Sequence, residues 1–268
     1  MRRKKSSGFQ SKNLKTAYVF SAVVFALILV SLIFKIIIVI KNSNFDGANR
    51  FTLGVFKSSE TAVLSFSPKN SSIFLLKIKG QTLRSEIGKY LQIPIDATLS
   101  ANQNITKNTL PSDLTRILFN LKDANTNLTV VDLLRLIFFA RTIPENSINE
   151  KTIESIIKEE IQGIASSKFV DPQIVEDKQS IEIVNSTDVP GLANRLANLI
   201  TNMGGNVILV STADSAMQNS EIKYFRDKTY TVSKLSSVLG FATKKISQKS
   251  IADVIIVIGK DSRENLRF

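Results

Sequence analysis

The chain predicts an α/β protein built from a single transmembrane helix, a mixed α/β middle region and a small C-terminal β-α-β-β-α-β domain. Three observations carry this. Residues 16–40 (TAYVFSAVVFALILVSLIFKIIIVI) are almost wholly apolar, with Lys35 the one charge among them. Between about 50 and 165, short β-branched and aromatic runs give way to amphipathic helical stripes. From Ser180 onward, strands alternate with helices, the pattern of a layered α/β unit.

The apolar stretch is long enough to span a bilayer. At about 1.5 Å of rise per residue, residues 16–34 alone make roughly 28 Å of helix, close to the hydrocarbon thickness. A helix satisfies its own backbone hydrogen bonds, as lipid demands. Lys35 near a membrane face can snorkel. A cleaved signal peptide fits less well, because the run exceeds a typical apolar region and no small-x-small cleavage site follows. Arg2, Arg3, Lys4, Lys5, Lys12 and Lys15 precede the span with no acid among them, which is half of the net charge of +12. That asymmetry predicts an N-terminus in the cytoplasm, against anionic headgroups, and an extracytoplasmic body. Half of the basic excess is thus topology, and no nucleic-acid partner is expected.

Composition removes several kinds of chemistry. The chain has no Cys, so its exported part must rest on packed cores. It has no His, which removes the usual general base near neutral pH and the commonest metal ligand. Ser-His-Asp and Cys-His enzymes are excluded. Trp is absent as well, which weakens an aromatic platform for sugars or bases. No catalytic residue, metal site or cofactor is assigned.

Taken in order, residues 1–15 are a basic tail, 16–40 the span, 41–165 an extracytoplasmic α/β region and 166–179 a linker. Residues 180–261 form the C-terminal domain and 262–268 a tail. Within the middle region, residues 50–56, 59–67 and 72–78 read as three strands, the last two turning at Pro68-Lys69-Asn70. Helices are expected over 82–91, 112–121 and 130–141. Thr129 and Asp132 make a capping-box pattern at the start of the last. Ile153, Ile156, Ile157, Ile161 and Ile164 predict one more helix over 150–164. In the C-terminal region, strands are expected at 181–184, 207–210, 221–225 and 252–258. A helix over 190–203 places Leu192, Leu196, Leu199, Ile200 and Met203 on one stripe, with Thr187 or Asp188 as its cap and Gly204 as its stop. A second helix, 231–239, is stopped by Gly240. The strand ADVIIVI is apolar on both faces and belongs at the sheet's centre, covered on both sides or nearly so.

This last third resembles a known family. Val184-Asn185, Val189-Pro190-Gly191-Leu192-Ala193, Gly204 and Gly259-Lys260-Asp261 occur in the order found in the C-terminal domain of LytR-CpsA-Psr cell-envelope proteins. Ser186 stands where the family often has glycine. The likeness covers about residues 180–261, and it implies one N-terminal membrane helix and an outward-facing body.

The middle region is similar in pattern to that family's catalytic domain, which transfers a phosphoglycan from a polyprenyl-pyrophosphate carrier to peptidoglycan. Ser59-Glu60-Thr61 and Lys77-Ile78-Lys79-Gly80-Gln81-Thr82 fall at a similar spacing, as does Ile93-Pro94-Ile95-Asp96. Gly80 and Gln81, however, stand where the family has its pyrophosphate-gripping Arg and its Asp. The resemblance thus implies a truncated, degenerate relative of the catalytic domain.

Pyrophosphate chemistry needs bidentate cations and Mg²⁺-holding carboxylates. The candidates are Lys77, Lys79, Arg84, Glu60 and Asp96; lysine cannot copy the guanidinium fork, and solvated surface charge accounts for all five. Arg135 and Arg141 are read as surface or stem-packing residues. The loop before the 190–203 helix could offer N–H groups to an anion such as a wall phosphate, with Asn185, Ser186, Thr187 and Gly191 as the ligand-binding candidates. Against this, Asp188 is negative and a self-capped helix start needs no ligand. The expectation is a membrane-anchored extracytoplasmic protein of the bacterial envelope, a non-catalytic binding or interaction module in cell-wall assembly. Its expected partners are the membrane and a wall polymer or envelope transferase. The alternative is a divergent phosphotransferase using Glu60, Arg84 and Asp96.

Overall fold

The structure, a computed structural model, describes residues 8–57, 60–79, 86–100, 104–154, 158–248 and 250–263. Gly80, Gln81, Arg84 and Ser59 lie outside them. Two compact units are present, residues 1–43 and 44–268.

The first unit is one helix, α1 (Gly8–Lys41). Its segment Ala17–Lys41 has mean hydropathy 3.2 and is long and apolar enough to cross a membrane. That length is about 37 Å, so a bilayer of about 30 Å takes all of it only with tilt. In a bilayer, Lys35 would set how much of the far end enters lipid. The five aliphatics at 36–40 favour insertion by about 1.5–3 kcal/mol together. An unpaired lysine costs about 2.5–3.5 kcal/mol at mid-bilayer and less near a face. The two nearly balance, so a countercharge for Lys35 is enough to draw the whole run inside.

The second unit holds two mixed sheets. The first runs in the order β5-β4-β1-β2-β3-β6. Its centre is the expected meander, β1 (Phe51–Phe56), β2 (Glu60–Ser67) and β3 (Ser72–Lys79), antiparallel throughout. Alternation sends Leu53, Val55, Leu64, Phe66, Ile73 and Leu75 to one face. There they meet Leu110, Leu114 and Ile117 of α3 (Leu110–Phe119) and Leu133, Leu136 and Ile137 of α4 (Val130–Thr142). Val63, Phe74, Leu76 and Ile78 point the other way, against α2 (Ile87–Leu91) and Ile161, Ile164 and Ala165 of α5 (Lys158–Lys168). Cover on both faces explains why these strands are apolar at nearly every position. The capping box forms as read: Thr129 Oγ1 accepts from Asp132 N at 3.1 Å, and Thr129 N donates to Asp132 Oδ2 at 2.8 Å.

Strands β4 (Ala97–Ser100) and β5 (Asn125–Thr126) extend one side of this sheet. On the other side the structure departs from the expected 150–164 helix. Ile148–Ile153 is β6, parallel to β3, and the helix begins only at Lys158. Ile148 and Ile153 are buried while the four residues between them are exposed, as suits a charged edge strand. Of the expected 82–91 helix, Ile87–Leu91 is α2, and residues 82–85 lie outside the described ones. The expected linker, 166–179, contains helix. It carries the end of α5 and then α6 (Pro172–Asp177), capped by Asp171, with Ile174 buried in the second core.

The second sheet has the order β10-β9-β11-β7-β8, from β7 (Ser180–Asn185), β8 (Asn206–Thr212), β9 (Glu221–Tyr224), β10 (Ala242–Lys245) and β11 (Val254–Ile258). The predicted β-α-β-β-α-β order holds, with β10 added as an edge. β11 lies at the centre, as its sequence requires. Ile181, Ile183, Ile222, Val254 and Ile256 pack on the stripes of α7 (Leu192–Asn202) and α8 (Tyr230–Leu239). The α7 cap is Gly191 at φ +75°, with no side-chain cap bond, in place of Thr187 or Asp188. Gly204 follows at φ +93°, where a Cβ would lie 2.8 Å from Val175 Cγ2.

Candidate functional site

Five ionisable or phenolic side chains from distant parts of the chain meet where α8 faces the start of β1. Lys234 Nζ donates to Asp96 Oδ1 at 2.6 Å and to the Arg50 carbonyl at 3.0 Å. The other Asp96 oxygen accepts from Thr52 N at 2.8 Å. This ion pair is buried, with 11% and 7% of the two side chains exposed. Arg50 donates to Ser65 Oγ, Ser67 Oγ and the Lys168 carbonyl, while its buried Nε has no hydrogen-bond partner. Tyr230 OH donates to Asp171 Oδ2 at 2.8 Å. A crevice of about 180 Å³ opens beside them, lined also by Asp46, Asn49, Ser233 and Ser237.

Burial dominates the electrostatics here. It lowers Arg50 to about 10, against the pull of the Asp171 charge. It raises Asp171, with the Tyr230 hydrogen bond and the Lys234 charge opposing. Tyr230 is raised first by burial and then by Asp171, so it stays a neutral donor. Asp46 is lowered: burial opposes this, but the N–H groups of Asn49 and Ala48 outweigh it. Every charge in the cluster has an internal partner, which is the arrangement of a clasp between the two sheets.

Of these residues the sequence singled out only Asp96. The others sit at 50, 171, 230 and 234, and no local pattern joins them. Asp96 also fails to join Glu60. Thr52, bonded to Asp96, and Lys57, whose N–H donates to the Glu60 carbonyl at 2.9 Å, lie at opposite ends of β1, about 17 Å apart at strand rise. Glu60 lines a different, very small depression with Lys57 and Asn104. Lys77 pairs with Glu150 at 2.7 Å and Lys79 with the exposed Glu154 at 3.5 Å. Arg135 donates to the Phe45 carbonyl and Arg141 to Thr115 Oγ1. Among the described residues no group of three or more acids is placed to hold a metal ion.

The loop ahead of α7 is built from its own polar side chains. Asn185 Oδ1 accepts from Thr187 N at 3.1 Å and Thr187 Oγ1 at 2.8 Å, and Asn185 Nδ2 donates to the Val189 carbonyl at 2.9 Å. Ser186 Oγ donates to the Ser215 carbonyl at 3.0 Å. Asn185, Ser186 and Thr187 are buried, whereas Gly191 is exposed. Beside Gly191 lies a depression of about 260 Å³ lined by Asn194, Ser211 and Thr212. Asn185 also lines this depression together with Gly191, whereas Ser186 and Thr187 are turned into the loop's own hydrogen bonds.

The closing Gly-x-Asp segment is a latch. Asp261 accepts from Ser220 N at 2.9 and 3.0 Å and from Ser220 Oγ at 2.6 Å, and Gly259 N donates to Ser220 Oγ at 2.8 Å. A Cβ on Gly259 would fall 2.5 Å from the Asn219 backbone, so only glycine fits.

Residues 178–261 match the family described as LytR cell envelope-related transcriptional attenuator. Among solved structures, the chain is similar to the transcriptional regulator yvhJ from Bacillus subtilis, at 12% identity over 41% of this chain and 84% of that one, with a TM-score of 0.31. It is also similar to the Lin1025 protein from Listeria innocua, at 9% identity over 82% of this chain and 95% of that one, with a TM-score of 0.18. No curated relative matches. The matched residues contain the whole second sheet, the self-bonded Asn185 loop and the Ser220–Asp261 latch, so this part of the chain is similar to the LytR C-terminal family, which is described as cell envelope-related.

Proposed function

We propose that the protein is anchored by α1 with its second unit outside the cytoplasm, where it acts as a non-catalytic binding module in cell-wall assembly. The observation that carries the non-catalytic part is the separation of Glu60 from Asp96 by the length of β1, with Asp96 consumed by Lys234. The domain match and the apolar helix support envelope placement. We assign the contact to wall glycan to the depression beside Gly191, because amide and hydroxyl groups hydrogen-bond sugar hydroxyls and the buried Asn185, Ser186 and Thr187 hold its rim.

Full-length protein in nanodiscs, sedimented with purified cell wall, tests this. Saturable retention and no release of polyprenyl monophosphate in Mg²⁺ are expected. Turnover of a polyprenyl-pyrophosphate glycan that is lost in Glu60→Gln overturns the reading in favour of the divergent phosphotransferase. Transcriptional control, suggested by the family's description, requires a cytoplasmic body, and a reporter fused after Phe268 reads the side directly.

A further inference from the structure

We propose that one face of α1 docks a partner membrane helix carrying a carboxylate at the depth of Lys35. This rests on the anchoring just proposed. Lys35 is the only charge between Ala17 and Lys41, and it lies six residues, about 9 Å, before the span's end. Lys35 shares its face with hydroxyls. At 3.6 residues per turn, Ser21, Ser31 and Lys35 fall within roughly an 80° arc, while Val30, Ile33 and Ile37 point away. Apart from Tyr18 these are the polar side chains of the segment, and all three project from the helix into its surroundings.

Charge complementarity selects the occupant. A countercharge favours Lys35 in lipid over a snorkelled lysine with residues 36–40 left outside, and α1 contains no Asp or Glu. A second copy in the same orientation would set Lys35 against Lys35, so the partner is a different chain. An anionic headgroup meets Lys35 alone, because Ser21 lies about 21 Å deeper along the axis. Only a rod-shaped partner, another helix, follows the whole polar face, bonding the serines as it pairs with the lysine.

The test uses the full-length chain in phosphatidylcholine vesicles, labelled at Asn42→Cys, which is unique in a chain without cysteine. Energy transfer is measured to a synthetic Leu/Ala helix with a single Glu at Lys35's depth, and to the same helix with Gln. About tenfold tighter association with the Glu helix is expected. That preference should vanish in Lys35→Leu, persist in Lys35→Arg and weaken several-fold in Ser31→Leu. Equal association of both helices overturns the proposal. So does self-association that survives Lys35→Leu, or enrichment of labelled phosphatidylglycerol around Lys35 that displaces the helix. Carbonate extraction of the chain ends both this reading and the anchor. A chain that stays inserted yet ignores the carboxylate ends only this one.

Discussion

Lys234 and Asp96 form an ion pair 138 residues apart in sequence, with N and O 2.6 Å apart and both side chains buried. The pair joins α8 of the LytR-type region to the segment entering β4, so it fixes one sheet against the other. Removing one partner strands a buried charge, which costs about 3–5 kcal/mol, whereas replacing both by apolar residues is close to neutral. Lys234→Met and Asp96→Leu are each expected to lower unfolding stability by about that amount, and the double variant to recover most of it. Denaturant titration in a double-mutant cycle measures the coupling; additive losses would show that the pair does not hold the sheets.

Asp171 in this cluster, with Asp177 and Glu150 outside it, sets a pH dependence with two signs. Asp171 is raised by burial, so its contribution is fully present below its ordinary value of 3.8 and fades as pH rises through its folded value. Asp177 and Glu150 are lowered: hydrogen bonds to Thr231 and Lys77, respectively, outweigh burial. Their contributions are present above 3.8 and 4.5 and are lost as pH falls through the lower folded values. Asp171→Asn keeps an acceptor for Tyr230 and removes the first of these effects. Its stability relative to the unmodified chain should therefore improve as pH rises from about 3.8 towards neutrality. Chemical denaturation at several pH values reads this, and a constant difference between the two proteins would refute the role given to Asp171.

What the sequence revealed depends on how local the signal is. The α4 start was legible because Thr129 and Asp132 sit three residues apart and each bonds the other's backbone N–H. The centrality of β11 was legible because five apolar residues in a row have few other places to go. Strand β6 was not. Its middle, Asn149 to Thr152, is polar, and Ile153 falls in helical register with Ile157, Ile161 and Ile164, so the periodicity ran through the break. The helix inside 166–179 was missed for a similar reason, since one short helix and one buried Ile174 leave little pattern. The crevice was invisible, because Arg50, Asp96, Asp171, Tyr230 and Lys234 become neighbours only through tertiary packing. The polar loop before α7 was legible as a loop, yet the sequence could not say that Asn185 and Thr187 bond each other.

Gly259 gives a steric prediction. A methyl group there meets Asn219 and Ser220 backbone atoms at 2.5–2.8 Å, and backbone cannot swing aside as a side chain can. Gly259→Ala is expected to destabilise the protein by about 1–3 kcal/mol through overpacking. Asp261→Asn keeps the shape but weakens the acceptor of three Ser220 contacts, so about 1 kcal/mol is expected. Thermal unfolding ranks the two, and a harmless Gly259→Ala would mean that the latch opens readily.

The loop before α7 separates support from contact. Asn185 is buried and makes three hydrogen bonds within the loop, so Asn185→Ala leaves buried donors and an acceptor unmet and should cost about 1–3 kcal/mol. Asn194 and Thr212 are exposed on the rim of the Gly191 depression. Asn194→Ala and Thr212→Ala should leave stability within about 0.5 kcal/mol. If the depression holds wall glycan, these two variants lose retention on purified cell wall several-fold while remaining fully folded. The retention lost should survive moderate salt, because the contacts are neutral hydrogen bonds instead of ion pairs. Retention that collapses with salt but ignores both substitutions would move the contact to the basic surface, and the Gly191 depression would then be a consequence of how α7 starts, with no part in binding.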